Sequence, residues 1–382
     1  MKNNLLRLLL SLILSLSLYT ACTLKAYASE ETQSDHLVIV VDTSGNKLFT
    51  FCGDVSEGDE YISADNLLYR VISVSGNTGV AEFIGEEAMP DTSWMDTGTA
   101  QPVFSNIQTV SSPSDNRRLI AMYVTHSDES YIPSDGTQSI EGQGGIYDVA
   151  RAFRDDLQAL GIDVILDEST HLPHDSGAYR RSRRTAERLL QKMPDAIIDI
   201  HRDGIPDQSE YAATVDGKDI SQVRLLVGRG NQNSGVNREF AKQIKAIADK
   251  AYPGLIKDIF IGKGTYNQDL SPNAILLEFG THTISKDRVM ASTDMMAHVV
   301  STALFGPQTG SAHGGAQPES VKENKKGVST GIAFLVFLVV AGIALFAFIQ
   351  TGSGKGMKDK ILRNTRELTG GLFGKKHDGD KS

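Results

Sequence analysis

Cysteine is nearly absent: only Cys22 and Cys52 occur in 382 residues. Cys22 falls in the opening segment, 1–28, so the rest of the chain holds one thiol and no intrachain disulfide can brace it. The core must hold by packing alone. A basic surface is missing too. Lys and Arg total 38 against 47 Asp and Glu, a net charge of -9, which excludes a broad nucleic-acid-binding face and suits a neutral or cationic partner. "TGSGKG" at 351–356 lacks the spacing and the preceding strand of a phosphate loop.

Long apolar runs are confined to the two ends. Residues 1–28 have a short basic start, an apolar stretch from about Leu5 to Leu18 and "AYA" at Ala26–Ala28, the order of a secretory signal cleaved after Ala28. "YTAC" ending at Cys22 offers a lipidation site instead, although Tyr19 stands where a small branched aliphatic residue is expected. Residues 328–350 contain the uncharged run Gly331–Gln350, the length of one bilayer crossing as a helix. Eight basic residues follow in the tail, 351–382, whereas "KENKK" upstream carries three. The positive-inside bias therefore expects a single-pass membrane protein with a cytoplasmic tail and its bulk outside the cell.

Between the ends the rhythm changes once. Residues 36–107 are short runs of Val, Ile, Tyr and Phe broken by Gly, Asn and Asp, the pattern of a small β-rich module without evident chemistry. Residues 118–306 alternate strand-length apolar runs with helical periods. "LIAMYV", "IDVILD", "DAIIDI", "VRLLVG" and "NAILLEF" read as strands. "GGIYDVARAFRDDLQALG", "GAYRRSRRTAERLLQKM", "SGVNREFAKQIKAIADKAY" and "VMASTDMMAHVVSTALF" read as helices. The expected fold is α/β, a mostly parallel sheet flanked by helices, with the N-terminal β-rich module before it and a C-terminal transmembrane helix after it. Residues 307–327, rich in Gly, Ser, Gln and Lys, read as a flexible stalk leading to the membrane.

Three strands finish in titratable groups: "LIAMYVTHSDES" with His126 and Glu129, "DAIIDIHRDG" with Asp199, His201 and Asp203, and "NAILLEFGTH" with Glu278 and His282. Parallel strands carry their carboxyl ends to one edge, so these groups can meet there. Zinc hydrolases take three protein ligands from His, Asp and Glu and leave a fourth position open. His126, Glu129 and His201 supply such a set, and the H-x-x-E spacing resembles the ligand order of zinc carboxypeptidases. Glu278 closes an apolar strand, where a carboxylate is costly unless it faces a polar cavity or an ion. Its expected role is proton transfer, first as base for water and then as acid for a leaving amine. The alternative is a salt bridge to an arginine of "YRRSRR". Asp199 either orients His201 or is a plain strand-edge carboxylate. Arg181 either contacts substrate carboxylates, holds the site together, or sits at the solvated start of a helix. His171 and His174 are expected at the surface or rim.

"THSDESY" (125–131), "SGAYRRS" (176–182), "DIHRDG" (199–204), "VGRGNQNSGVN" (227–237) and "LLEFGTH" (276–282) follow one another as in a known family. The chain resembles stage II sporulation protein P, a peptidoglycan hydrolase related to the zinc N-acetylmuramoyl-L-alanine amidases. The resemblance implies zinc-dependent cleavage of the amide between the muramic-acid lactyl group and L-alanine of the stem peptide. Some members are also credited with cutting peptide cross-links. It further implies work in forespore engulfment, beside a lytic transglycosylase and a membrane anchor protein. His126 and His201 match the metal histidines and Glu278 the catalytic glutamate. Many members begin the first motif with His-Thr-His, where this chain has Val124, and several are anchored by an amino-terminal helix. In the related amidases the middle ligand precedes a helix, which points to Glu141, whereas proximity to His126 points to Glu129.

Overall fold

The computed structural model describes residues 36–97 and 117–306. The expected signal segment, stalk, membrane helix and tail lie outside the described residues. Among those described, no helix is long and apolar enough to cross a membrane.

The described residues form thirteen strands: β1 (Leu37–Asp42), β2 (Lys47–Cys52), β3 (Glu60–Ile62), β4 (Leu67–Ser75), β5 (Thr78–Glu86), β6 (Leu119–Tyr123), β7 (Asp163–Asp167), β8 (Ala196–Asp203), β9 (Ala212–Val215), β10 (Lys218–Ser221), β11 (Val223–Gly228), β12 (Ile256–Gly262) and β13 (Ala274–Thr281). The helices are α1 (Trp94–Thr97), α2 (Ile132–Asp135), α3 (Ile146–Ala159), α4 (Ala178–Leu190), α5 (Ser234–Ala251) and α6 (Lys286–Phe305). Strands β9 and β10 pair as a separate hairpin. The other eleven form one sheet in the order β2-β1-β5-β4-β3-β12-β11-β13-β8-β6-β7.

The expectation of a mostly parallel sheet needs correction: the sheet is mixed. Within β12-β11-β13-β8-β6-β7 only the β11–β13 pairing is antiparallel. The N-terminal strands then extend that sheet, because β3 pairs antiparallel with β12, Tyr61 opposite Phe260. An edge strand with unpaired backbone groups invites such a partner. The β-rich segment and the α/β segment thus share one sheet.

Helix-forming spacing decides what covers each face. Ile146, Val149, Ala150, Phe153 and Leu157 of α3 recur at i, i+3, i+4, i+7 and i+11, and all are buried. Gly161 follows its end with φ +77°, the left-handed turn that a side chain would strain. Helices α3, α5 and α6 cover one face of the central strands, meeting Ile198, Ile200, Leu225 and Leu277. The opposite face is divided. Ala186 and Leu189 of α4 cover Ala121, Tyr123 and Ile197, whereas Val38, Val40, Phe49 and Phe51 of β1 and β2 pack on Leu226, Phe260 and Leu276. The N-terminal strands thus fold back over the sheet and take the place of a helix layer there. Each buried aromatic contributes about 1.5–3 kcal/mol, so this is firm packing.

Polar bonds add to it. Glu210 accepts from Thr50 Oγ1 and Lys47 Nζ, both at 2.6 Å, and Lys242 reaches Glu87 at 2.9 Å. Arg224, with no exposed surface, donates Nε and Nη2 to Asp258 at 2.7 and 3.0 Å and Nη1 to Asp203 at 2.9 Å. Its Nη2 also reaches the carbonyl of Thr50 at 3.2 Å.

Candidate metal centre

Strands β6, β8 and β13 are mutually parallel neighbours, so their carboxyl ends share one edge. Alternation does the rest. Along β8, Ile198 and Ile200 enter the helix-covered core, which turns Ile197, Asp199 and His201 to the divided face. Along β13, Leu277 and Phe279 face the core and Glu278 turns the other way, in register with His201. Past β6 the chain bends so that Glu129 N donates to the carbonyl of His126 at 3.2 Å, and the residue between strand and bend, Thr125, gives its N–H and hydroxyl to Asp199 at 2.9 and 2.6 Å.

His126, Glu129 and His201 come together, with one ligand atom from each within 4.8 Å of the others. Glu129 Oε1 lies 3.1 Å from His126 Nδ1 and 3.5 Å from His201 Nδ1, while Oε2 accepts the backbone N–H of Arg202 at 2.9 Å. All three residues are buried. Gly144 makes the loop possible: a Cβ there would stand 2.3 Å from the carbonyl oxygen of Glu129. Asp199 Oδ1 sits 3.1 Å from His201 Nε2 without the alignment of a hydrogen bond.

Burial pushes the His126 imidazole down to about 4, keeping it neutral, the form that ligates. Burial also opposes charge on His201, but the Asp199 and Glu129 carboxylates outweigh it and hold that ring well above the usual range. Burial alone would raise Glu129, yet the neighbouring His201 and His126 hold it well below. Glu278 is pushed well above the carboxylate range by burial and by the Asp203 carboxylate. Its Oε2 is buried with no hydrogen-bond partner, an expensive state for a carboxyl group.

The donors fit zinc. Two imidazoles and one carboxylate form a known catalytic zinc set, their atoms converge, and Glu278 lines the same cleft of about 360 Å³.

The remaining expected residues fall into place around this cluster. Glu141 is exposed and outside it, so the structure brings Glu129 to the histidines. The alternative of a salt bridge between Glu278 and "YRRSRR" is not what the fold builds: Glu278 Oε2 has no partner, and Arg181 and Arg183 pair with Asp175 and Asp269. Arg181 also donates to the carbonyls of His171, at 2.7 Å, and Pro173, so it fixes the loop that carries His174. His171 departs from the surface expectation. It is buried, with Nδ1 2.8 Å from the Val124 carbonyl and Nε2 3.0 Å from Thr185 Oγ1, because two fixed partners satisfy a ring that would otherwise need water. His174 does lie at the rim, stacked on His126 at 4.2 Å and 2.8 Å from Asp128 Oδ1. His282 lines the cleft.

Three site neighbours escaped the sequence reading. Arg202 braces Glu129 and spreads its guanidinium over the carbonyls of Ser130 and Gln138. Tyr179 stands edge-on to His126 at 5.4 Å. Arg224 neutralises Asp203 behind Glu278. For the last a signal existed, since a lone Arg inside "VRLLVG" demands a buried partner.

A metal-binding cluster with a buried carboxyl beside it, at the strand ends of an α/β sheet, defines a candidate metallohydrolase. Residues 80–301 match the family described as Stage II sporulation protein P. The chain belongs to that family. It is 26% identical over 219 residues to the Stage II sporulation protein P of Bacillus subtilis (strain 168), covering 52% of this chain and 54% of that protein. The chain thus spans about half the length of the curated relative it matches. Among solved structures it is similar to the CwlD amidase from Clostridioides difficile in complex with the GerS lipoprotein (12% identity, 49% of this chain, 95% of that chain, TM-score 0.35). It is also similar to the N-acetylmuramyl-L-alanine amidase Ami1 from Mycobacterium smegmatis (18% identity, 49% and 96%, TM-score 0.33).

Proposed function

We propose that this protein is a zinc-dependent peptidoglycan hydrolase that cleaves the amide between the muramic-acid lactyl group and L-alanine of the stem peptide. The observation that carries it is the meeting of His126, Glu129 and His201 beside the unpartnered carboxyl of Glu278, on a chain of a sporulation family.

His126, Glu129 and His201 would hold the ion. Zinc, when bound, supplies a Lewis acid for a carbonyl oxygen and lowers the pKa of water to about 7. Arg202 N keeps the Glu129 carboxylate in place, the missing side chain at Gly144 lets its loop close, and the Asp199 carboxylate lies 3.1 Å from His201 Nε2 as a neighbouring negative charge. Glu278 takes the proton from water and hands it to the leaving amine, a role suited to a carboxyl whose pKa stands above the ordinary range. Burial of Glu278 limits competing water.

By the family resemblance the protein works in engulfment with a lytic transglycosylase and a membrane anchor protein; the apolar run within 328–350 and the basic residues after it support a single-pass attachment to the cell membrane with the catalytic domain outside. The same groups would serve a metallo-endopeptidase acting on cross-links, and a chain that binds no zinc would be a wall-binding scaffold.

Purified peptidoglycan is digested with the wild type and with His201→Ala, and the products are read by mass spectrometry alongside zinc content. Free stem peptides plus lactyl-bearing glycan, with about one zinc per chain lost in the variant, are expected. Products that keep peptide on muramic acid would move the reaction to the cross-link. Wild-type protein without zinc and without products would sink the proposal.

A further inference from the structure

The divided face of the sheet places the metal cluster at a seam. Tyr179 of α4 stands against His126 and packs in turn on the cluster that holds Phe51 at the end of β2. Phe51, Cys52, Gly53 and Asp54 line the cleft together with His126, Glu129 and Arg202. They are held there firmly. The Phe51 ring lies 4.3 Å from that of Phe260, and the Thr50 carbonyl is pinned by Arg224. The two segments approach so closely that a Cβ on Gly204, three residues after His201, would stand 2.4 Å from Cys52 Sγ.

The family match begins at residue 80, so this side of the cleft comes from a segment that precedes it. A packed ledge that reaches a reaction cleft from outside the matched region and carries one carboxylate, Asp54, is placed to contact what enters.

We infer that the end of β2, Phe51–Asp54, is a substrate-contacting wall of the cleft, with Asp54 a specificity-determining residue for the peptidoglycan flanking the scissile bond. The inference rests on the hydrolase reading above for its substrate. It gives the N-terminal strands a second role, since besides covering the sheet they select what reaches Glu278. Because Asp54 is remote in sequence from the ligands and belongs to no metal contact, altering it leaves the ion in place. The effect falls on substrate capture.

The test uses the full chain carrying Asp54→Trp or, as a less bulky change that reverses charge, Asp54→Lys, with Glu86→Gln at the exposed end of β5 as control. Three quantities are read: zinc content, capture of soluble peptidoglycan fragments, and hydrolysis of the same fragments, with melting temperature as a check on folding. Expected are unchanged zinc, a loss of capture of at least about tenfold, and a fall in kcat/KM carried by KM, with the control within about twofold of wild type. Capture and KM within twofold of wild type for both well-folded variants would overturn the wall. A wild type that captures fragments without zinc or hydrolysis would end the hydrolase reading and leave the wall to be judged on capture, where the same tenfold loss supports it. A wild type that captures nothing and hydrolyses nothing overturns both.

Discussion

Two groups of buried charges lie on the same face of the sheet, and they are built on opposite plans. Around Arg224 every charge is answered: Asp258 receives two hydrogen bonds, Asp203 one from Arg224 and one from Tyr211 at 2.7 Å. Around His126, Glu129 and His201 the bonding is incomplete. Glu278 Oε2 has no partner, and His201 Nε2 meets Asp199 out of line. A buried ion that is fully bonded stabilises a fold or at least costs it little, whereas one left short destabilises it and is kept for something else. The difference separates the part of this face that holds the protein together from the part that works.

The largest effect expected is on turnover. Glu278→Gln keeps the shape and removes the proton carrier, so hydrolysis of peptidoglycan should fall about 10²–10⁴-fold while zinc content stays at the wild-type level. His126→Ala, by contrast, should lose zinc and hydrolysis together. If Glu278→Gln hydrolyses as the wild type does, the open group has no proton role.

Next comes the closed group. Arg224→Met takes the guanidinium from buried Asp258 and Asp203, leaving Asp258 only Lys257 at 3.5 Å, and removing one partner of such a group costs about 3–5 kcal/mol. Urea unfolding should show that loss, with β2 among the first segments released because the Thr50 carbonyl loses its donor. The two groups can also be set against each other with matched substitutions. Asp203→Asn weakens a satisfied bond to Arg224 and should lower the melting temperature. Glu278→Gln, measured without metal, removes a carboxyl that burial and Asp203 penalise and should leave the melting temperature unchanged or raise it. Equal losses in both would erase the distinction between working and structural charges.

Much of the open group was legible because it obeys local rules. His126, Glu129, His201 and Glu278 each end or follow an apolar run, and parallel strands bring such endings to one edge. The four long helices were equally plain, since α3 alone carries its burial pattern in the spacing of five residues. The closed group was not legible as a group. Arg224 and Asp258 stand in adjacent parallel strands, but pairing of "VRLLVG" with "IKDIFIG" depends on a crossover that no local pattern encodes, and β12 itself went unread as a strand. The union of the N-terminal strands with the sheet was hidden for the same reason. It depends on a three-residue strand, Glu60–Ile62, finding the edge of β12. His171 looked like a loop histidine because its partners, the Val124 carbonyl and Thr185, are distant in sequence.

The smallest effect concerns how the N-terminal strands are fastened beside both groups. Burial opposes charge on Glu210, but hydrogen bonds from Lys47 and Thr50 and the nearby Lys257 outweigh it and hold its carboxyl down at about 2. The folded value lies below the ordinary 4.5, so this fastening is fully present above pH 4.5 and fades as pH falls through that range toward 2. Glu210→Gln should therefore be less stable than wild type by about 1–3 kcal/mol at neutral pH, with the gap narrowing between pH 4.5 and 2. Urea unfolding of the pair at several pH values measures it. A gap that stays constant down to pH 2 would mean that charge on Glu210 does not fasten β2, and that aromatic packing of Phe49 and Phe51 holds the wall by itself.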